Sequence, residues 1–403
     1  MPRRTTAPIV AVTTALVLTS VWTMQRLGGG PALLLQAGVA GAVCVLVVKR
    51  LGPQNAWWPG RTTAWWLAGL SLVAVTLATS VGYDLANSDR LGSGADSDDA
   101  LVLGVHELLA GRYPYHSATY LGNPISPMPG GLLISAPFVL VGRIELLNVA
   151  ALGALFAALA RRLDDPARAL LLSWIVIGLC PGVVHQLITG IDYVVNAICM
   201  LLAIWLVDRS AGERATPSWA LVGAVLALGV ASSWRANFVF LLPVLVGHLA
   251  ARVGRRRASG LGVALGGVLL AVTLPFYLFD PAGFSPLHTG NKLGRFDALL
   301  PHAQLLVPAA TLLLACALAL WPGRRLSDLM WRCAAVQTVP VFAGITLSSV
   351  ERGALDVLRF GGYATFVLFF AAVAWWLDLY DPIDSGAPRS RSIEGRTASA
   401  TNT

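Results

Sequence analysis

Carboxylates crowd one stretch of this chain. Residues 83–131 carry Asp84, Asp89, Asp96, Asp98, Asp99 and Glu107 in their first half, more acids than any other stretch of similar length. A carboxylate at the edge of an apolar layer is partly desolvated, and like charges beside it add to the effect. Both raise its pKa toward the range in which it accepts a proton from a hydroxyl. Asp96, Asp98 and Asp99 open the segment SDDALVLGVHELLAG, where Leu101, Val102, Val105, Leu108 and Leu109 recur at helical spacing. This pattern predicts an amphipathic helix lying on a membrane surface. The same aspartates suit a helix N-terminus with Ser97 as its cap, so each has a structural use as well as a catalytic one.

Basic side chains supply the complementary chemistry. Arg235, in SSWRAN near the end of an apolar run, is costly close to hydrocarbon unless it faces a cavity, binds an anion or snorkels to the interface. A phosphate held bidentately is the partner its guanidinium fits best. Lys292, one of two lysines in the chain, stands with Arg295 in HTGNKLGR and offers a second phosphate contact or a solvated loop charge. Arg359 is a third candidate. In HQLITGID, His185, Gln186 and Asp192 flank a helix break, where they could bond sugar hydroxyls or cap helix ends. No pair of histidines has the close helical spacing of a metal motif, so no metal site is expected. No P-loop, dinucleotide fingerprint or GxSxG elbow occurs.

These groups have to be positioned by an oily scaffold. The chain has 403 residues, 56% hydrophobic and 12% charged, with a mean hydropathy of +0.68, which is too little polar surface to clothe a water-soluble globule. An all-α polytopic membrane protein is expected, with about 12 transmembrane helices near 8–25, 31–48, 63–82, 144–160, 166–184, 190–207, 217–233, 237–251, 259–279, 303–321, 330–347 and 357–377. The apolar run 130–142 is short and follows three prolines, so it reads as a re-entrant or interfacial helix. One transmembrane domain then fills 1–380, with external loops at 83–131 and 280–302. The stretch 381–403 lacks apolar periodicity and reads as a disordered cytoplasmic tail. The five cysteines fall in apolar segments and form neither a disulfide framework nor a metal cluster. The basic, apolar start reads as a retained first helix rather than a cleaved signal. Trp57, Trp58, Trp65, Trp66, Trp375 and Trp376 lie near span ends, as an aromatic belt would.

Charge placement orients this scaffold. With 130–142 not spanning, 20 of the 29 Lys and Arg fall on one side, including Arg252, Arg255, Arg256 and Arg257. That side is cytoplasmic by the positive-inside rule, which puts both termini inside a plasma membrane and the acidic loop outside. The net charge of +8 therefore reflects membrane topology, and no nucleic-acid partner is expected.

The segment from the aspartates through LLAGRYPY to the Gly-Asn-Pro and Pro-rich stretch resembles the first external loop of GT-C class glycosyltransferases. The nearest in character are bacterial polyprenyl-phosphate-mannose-dependent mannosyltransferases and related arabinofuranosyltransferases. The likeness extends to HQLITGID, SSWRANFVFLLP and LRFGGYATFVLFF. It implies an inverting transfer from a polyprenyl-phosphate sugar, mannose favoured, to a glycolipid or cell-wall glycan, with no cofactor. It places the catalytic base at Asp98 or Asp99, with Asp84 in reserve, while Arg235, Lys292, Arg295 and Arg359 stay the candidate contacts to the donor phosphate by their charge and position. Tyr113, Tyr115, His116, Asn123, His185, Gln186, Asp192 and Asn291 complete the expected substrate-binding set. Membrane lipids surround the whole. The rival reading is a transporter or flippase for a lipid-linked saccharide, whose ionisable groups would line a path through the spans.

Overall fold

The computed structural model describes residues 3–50, 59–88, 95–213 and 218–381. Asp89, Trp57, Trp58 and the tail beyond 381 lie outside them. In chain order the helices are α1 (Arg3–Arg50), α2 (Arg61–Ala86), α3 (Ser97–Leu109), α4 (Pro129–Leu140), α5 (Leu146–Leu163), α6 (Pro166–Gly178), α7 (Pro181–Ile188) and α8 (Tyr193–Glu213). They continue with α9 (Trp219–Ser232), α10 (Leu242–Val253), α11 (Arg255–Phe279), the one-turn α12 (Asn291–Gly294), α13 (Ala303–Leu320), α14 (Leu326–Arg352), the one-turn α15 (Leu358–Gly361) and α16 (Ala364–Tyr380). No strand occurs among the described residues beyond one isolated bridge between Ala118 and Pro124. This is the architecture of an all-α membrane protein.

Local sequence sets the breaks. α1 is interrupted at Gly28 and Gly29, the latter at φ 64°, a left-handed conformation that only glycine adopts without strain. Pro31 then restarts the helix. Gln36 Nε2 donates to Leu16 O at 3.3 Å. A straight helix would hold residues 20 apart in sequence about 30 Å apart, so the two arms of α1 run antiparallel as a hairpin. Pro166 starts α6 behind Asp165, whose carboxylate accepts from Ala167 N and Arg168 N, and Pro181 starts α7 at an 83° bend from α6.

Twelve spans are expected from hydropathy. Among the described residues, eight helices are long and apolar enough to cross a membrane, or nine with the bent α6–α7 pair taken as one span. α9 and α16 are apolar but have only 14 and 17 residues. At 12 residues α4 is about 18 Å long, too short for a hydrocarbon layer of about 30 Å. Its start is tied to the end of α9 by Met128 N to Trp234 O (2.9 Å) and Gly130 N to Ser233 O (2.8 Å).

α16 is buried on nearly every side and packs against α1, α8 and α14, which makes it the axis of the bundle. Trp375 and Trp376 are 2% and 0% exposed, so they belong to this core and not to an aromatic belt. Trp66, at 72% exposure, and Trp65 do face outward.

Contacts sort the helix ends into two groups. One end brings together the α1 hairpin tip, the end of α2, the 185–193 turn, the α9–α10 connection, residues 286–293 and the start of α15. The opposite end holds the pairs Arg61–Asp164 and Arg162–Asp381 and the cluster of Asp208, His248 and Arg252. In a Cys-free background, cysteine in place of Leu121, on the exposed loop at the first end, is expected to react with an impermeant maleimide in intact cells. Cysteine in place of Arg256 is expected to react only after lysis, and the reverse pattern would invert the orientation.

Candidate functional site

The acidic loop divides its carboxylates between two tasks. Asp96, the residue before α3, accepts from Thr119 Oγ1 (2.7 Å) and Asn123 Nδ2 (2.8 Å), and Asp99 accepts from Tyr120 N (2.8 Å). Both therefore hold the 118–124 turn, and Asn123 belongs to that brace. Asp98 turns the other way and is 4% exposed. Tyr83 Oη donates to its Oδ2 at 2.5 Å, while Oδ1 is buried with no hydrogen-bond partner. Burial pushes the Asp98 carboxyl above the ordinary carboxylate value, and the Tyr83 hydrogen bond partly opposes that rise. Gly190, at φ 70°, lies against it so closely that an added Cβ would stand 2.8 Å from Asp98 Cβ. Asp84 is exposed on the last turn of α2.

The expected phosphate ligands separate in the same way. Arg235 Nη2 donates to Asp192 Oδ1 at 2.5 Å, and Asp192, 1% exposed, also accepts from Trp234 Nε1 (3.0 Å) and Asn196 Nδ2 (2.8 Å). Asp192 thus neutralises Arg235 and is not free to hold a sugar. Arg235 Nε remains buried without a partner. Arg235 and the exposed Lys292 line one cavity of about 170 Å³, beside Asn237, Gln337, Phe360 and Tyr363. Arg295 and Arg359 are instead drawn to Glu351, at 2.8 and 3.7 Å. Asn291 begins α12 next to Lys292.

A larger cavity of about 500 Å³ shares Tyr363 with the smaller one, and Tyr193 lines the larger alone. The rings of Tyr193 and Tyr363 stack at 4.9 Å, and the Arg235 guanidinium lies 5.1 Å over Tyr193. His185, Gln186 and Arg359 line this larger cavity. Its wall also includes Ala95, Thr189 and Ile191, which bracket the Asp98–Gly190 contact in the chain.

Tyr113, Tyr115 and His116 are placed elsewhere. Tyr113 Oη donates to Phe276 O (2.9 Å), Tyr115 packs on Phe284 at 4.9 Å, and His116 Nε2 lies 2.8 Å from Asp280 Oδ2. With Ser285 Oγ donating to Ile125 O (2.6 Å), these contacts dock the first loop onto the end of α11 and the second loop. The His116 hydrogen bond holds the Asp280 carboxyl below its usual value, and burial, helped by the Asp280 charge, pushes the Tyr113 hydroxyl up to about 12. No family model, curated protein or solved structure matches the chain.

Hydropathy and motif spacing leave out Tyr83, Tyr193, Tyr363, Trp22 and Arg26. The signals open to sequence were Tyr83 beside Asp84, Tyr193 beside Asp192 and, for Arg26, a lone cation just before the Gly-rich break.

The raised Asp98 value has a thermodynamic sign. Its folded pKa lies above its unfolded one, so the stability it contributes is complete below the ordinary value of 3.8 and is lost as pH rises through the folded value. Asp98→Asn removes that loss. The detergent-solubilised variant is expected to have a thermal midpoint at pH 7.5 at or above that of the wild type, with the difference shrinking toward a pH of about 4. A lower midpoint at pH 7.5 would show that the ionised carboxylate is stabilising.

Proposed function

We propose that this chain transfers a sugar, mannose favoured, from a polyprenyl-phosphate carrier to a glycolipid or cell-wall glycan at the outer face of the plasma membrane. The observation that carries this reading is Asp98: a buried carboxylate with raised basicity and one unpaired oxygen, at the end of the bundle where Lys292 and Arg235 share a cavity. In the proposed step an acceptor hydroxyl oxygen attacks the anomeric carbon. The bond from that carbon to the phosphate oxygen breaks, polyprenyl phosphate leaves with the electron pair, and the hydroxyl proton passes to Asp98. Backside attack inverts the anomeric centre. Lys292, with the unpaired Nε of Arg235, would stabilise the charge growing on the departing phosphate.

The same reading counts twelve spans, taking the α1 hairpin as two, the α6–α7 pair as one and the short α9 and α16 as spanning, with both termini inside. It favours an enzyme over a carrier because the buried acids Asp192, Asp208 and Asp381 are each paired with a base near a helix end.

Lipid extracts of a deletion strain are expected to lack one sugar on a glycolipid, restored by the wild-type chain. Asp98→Asn should lower turnover by about 10² to 10⁴, whereas Asp99→Asn and Asp84→Asn should restore the lipid. A fully active Asp98→Asn would remove the proposed base. Lys292→Gln should weaken donor use by roughly tenfold or more, the size of a charge-assisted hydrogen bond, without loss of folded protein. Arg235→Ala is a poorer probe because it strands Asp192 and should destabilise the fold as well.

A further inference from the structure

α2, α5 and α6 enclose a third cavity, of about 610 Å³, which shares no residue with the two at the outer end. Its lining is apolar, and the polar side chains within it are satisfied from inside the bundle. Trp174 Nε1 donates to Ser71 Oγ (3.0 Å), and Ser173 Oγ donates to Ala169 O (3.1 Å). An apolar hollow between spans stays dry, so a hydrocarbon chain is what fits it. Its depth is that of one leaflet: the lining on α2 runs from Trp65 to Val75, a rise of about 15 Å against a hydrocarbon layer of about 30 Å. Trp65 lies one turn in from the start of α2, where an indole favours the headgroup layer.

The charges at that end stand on the same helix rows as the lining. Along α5, Gly153, Ala157 and Arg161 follow at i, i+4 spacing, so Arg161 is the foot of a row whose other two members line the cavity. Its Nη1 reaches back to Ala157 O at 3.4 Å, and among the described residues no carboxylate lies within ion-pair distance of it. Along α2, Arg61 stands one turn before Trp65. A second hollow, of about 440 Å³, is lined by Arg61, Thr62, Trp65 and Trp66 and adjoins the first through Trp65. Asp164 meets Arg61 at 2.9 Å, but both groups are exposed, at 66% and 82%, and such a pair is weak. Asp165 is taken by Arg168 at 3.1 Å. Arg61, Arg161 and Asp164 thus leave one net positive charge at the mouth of an apolar slot.

We infer that this cavity holds an acyl chain of an anionic phospholipid from the leaflet at the Arg61 end, with the lipid phosphate on Arg61 and Arg161. Guanidiniums take phosphate oxygens in pairs, and Trp65 lines both the hollow for the head and the slot for the chain. A second copy of this chain suits the face less well. A twofold axis along the membrane normal would bring the partner's guanidiniums to the same depth, like charge against like. The site does not depend on the transferase reading, and in the orientation proposed above its leaflet is the cytoplasmic one.

The test uses the full chain in phosphatidylcholine nanodiscs with a trace of phosphatidylglycerol carrying a photoactivatable diazirine on one acyl chain, and maps the crosslinks by peptide mass spectrometry. A diazirine near the glycerol is expected to mark the stretch from Trp65 to Gly69, and one at the chain end the stretch from Leu72 to Val75. Unlabelled phosphatidylglycerol should compete roughly fivefold better than phosphatidylcholine, the effect of about one net charge at a lipid surface. The double variant Arg61→Gln, Arg161→Gln should lose that preference, while Arg112→Gln, at the opposite end, keeps it. Gly69→Leu with Gly178→Leu should abolish the label at an unchanged elution volume, since a Cβ added at either glycine meets no atom within 4 Å. Equal competition by phosphatidylcholine, a preference that survives in the double arginine variant, or the reverse order of marks along α2 would overturn the inference. So would label spread equally over α2 and the outward leucines of α13, or an unlabelled cavity in a protein that runs as a dimer.

Discussion

Burying an ionised carboxylate in an apolar bundle is costly unless its charge is met on the spot, and the Asp192–Arg235 pair is one place where this chain meets it. Asp192 has three donors from three directions, Arg235, Trp234 and Asn196, and lies between the turn that ends α7 and the start of α8. Removing one member of such a pair leaves an uncompensated charge and costs about 3 to 5 kcal/mol. The pair joins α8 to the α9–α10 connection. It also sets the guanidinium over Tyr193, whose ring in turn stacks on Tyr363. The wall between the two cavities is built from these rings, so the layout of the outer end follows from how one acid is neutralised.

That layout separates committed charges from available ones. Asp96 and Asp99 brace a turn, Arg295 and Glu351 pair at the surface, and Arg235 is largely matched by Asp192. Left over are Asp98 with its unpaired Oδ1, Lys292 at the smaller cavity, and Arg26 at the larger one. Two cationic patches thus share the outer end of the bundle with the unpaired Asp98 oxygen, and Tyr363 lines the cavity at each patch. The loops over it are held by Tyr113, Tyr115 and His116, whose work is to fix the first loop onto the second.

Much of this scaffold was legible in the sequence, because apolar length alone marks where helices lie. All twelve apolar segments fall on helices, and the short run before residue 142 forms a helix too short to span. What hydropathy could not decide is which helix is central. α16 is apolar all round, and only its packing shows that Trp375 and Trp376 are core residues. Spacing likewise left Asp98 and Asp99 equivalent, since one position on a helix start looks much like the next. Their difference comes from partners distant in sequence: Tyr83 and Gly190 enclose the first, and the Tyr120 amide engages the second. Arg26 escaped notice although Trp22 stands one turn before it on the same arm of α1, because His185, which packs on that indole, comes from α7.

The reading of the outer end as a place of sugar transfer bears most directly on purified protein in nanodiscs, supplied with a radiolabelled polyprenyl-phosphate sugar and a phospholipid acceptor and with no nucleotide. Label should pass into a glycolipid in step with release of polyprenyl phosphate. If no label moves from a mannose or an arabinose donor, yet the same protein in sealed vesicles carries the lipid-linked saccharide across the bilayer, the chain is a carrier and the transferase account is wrong.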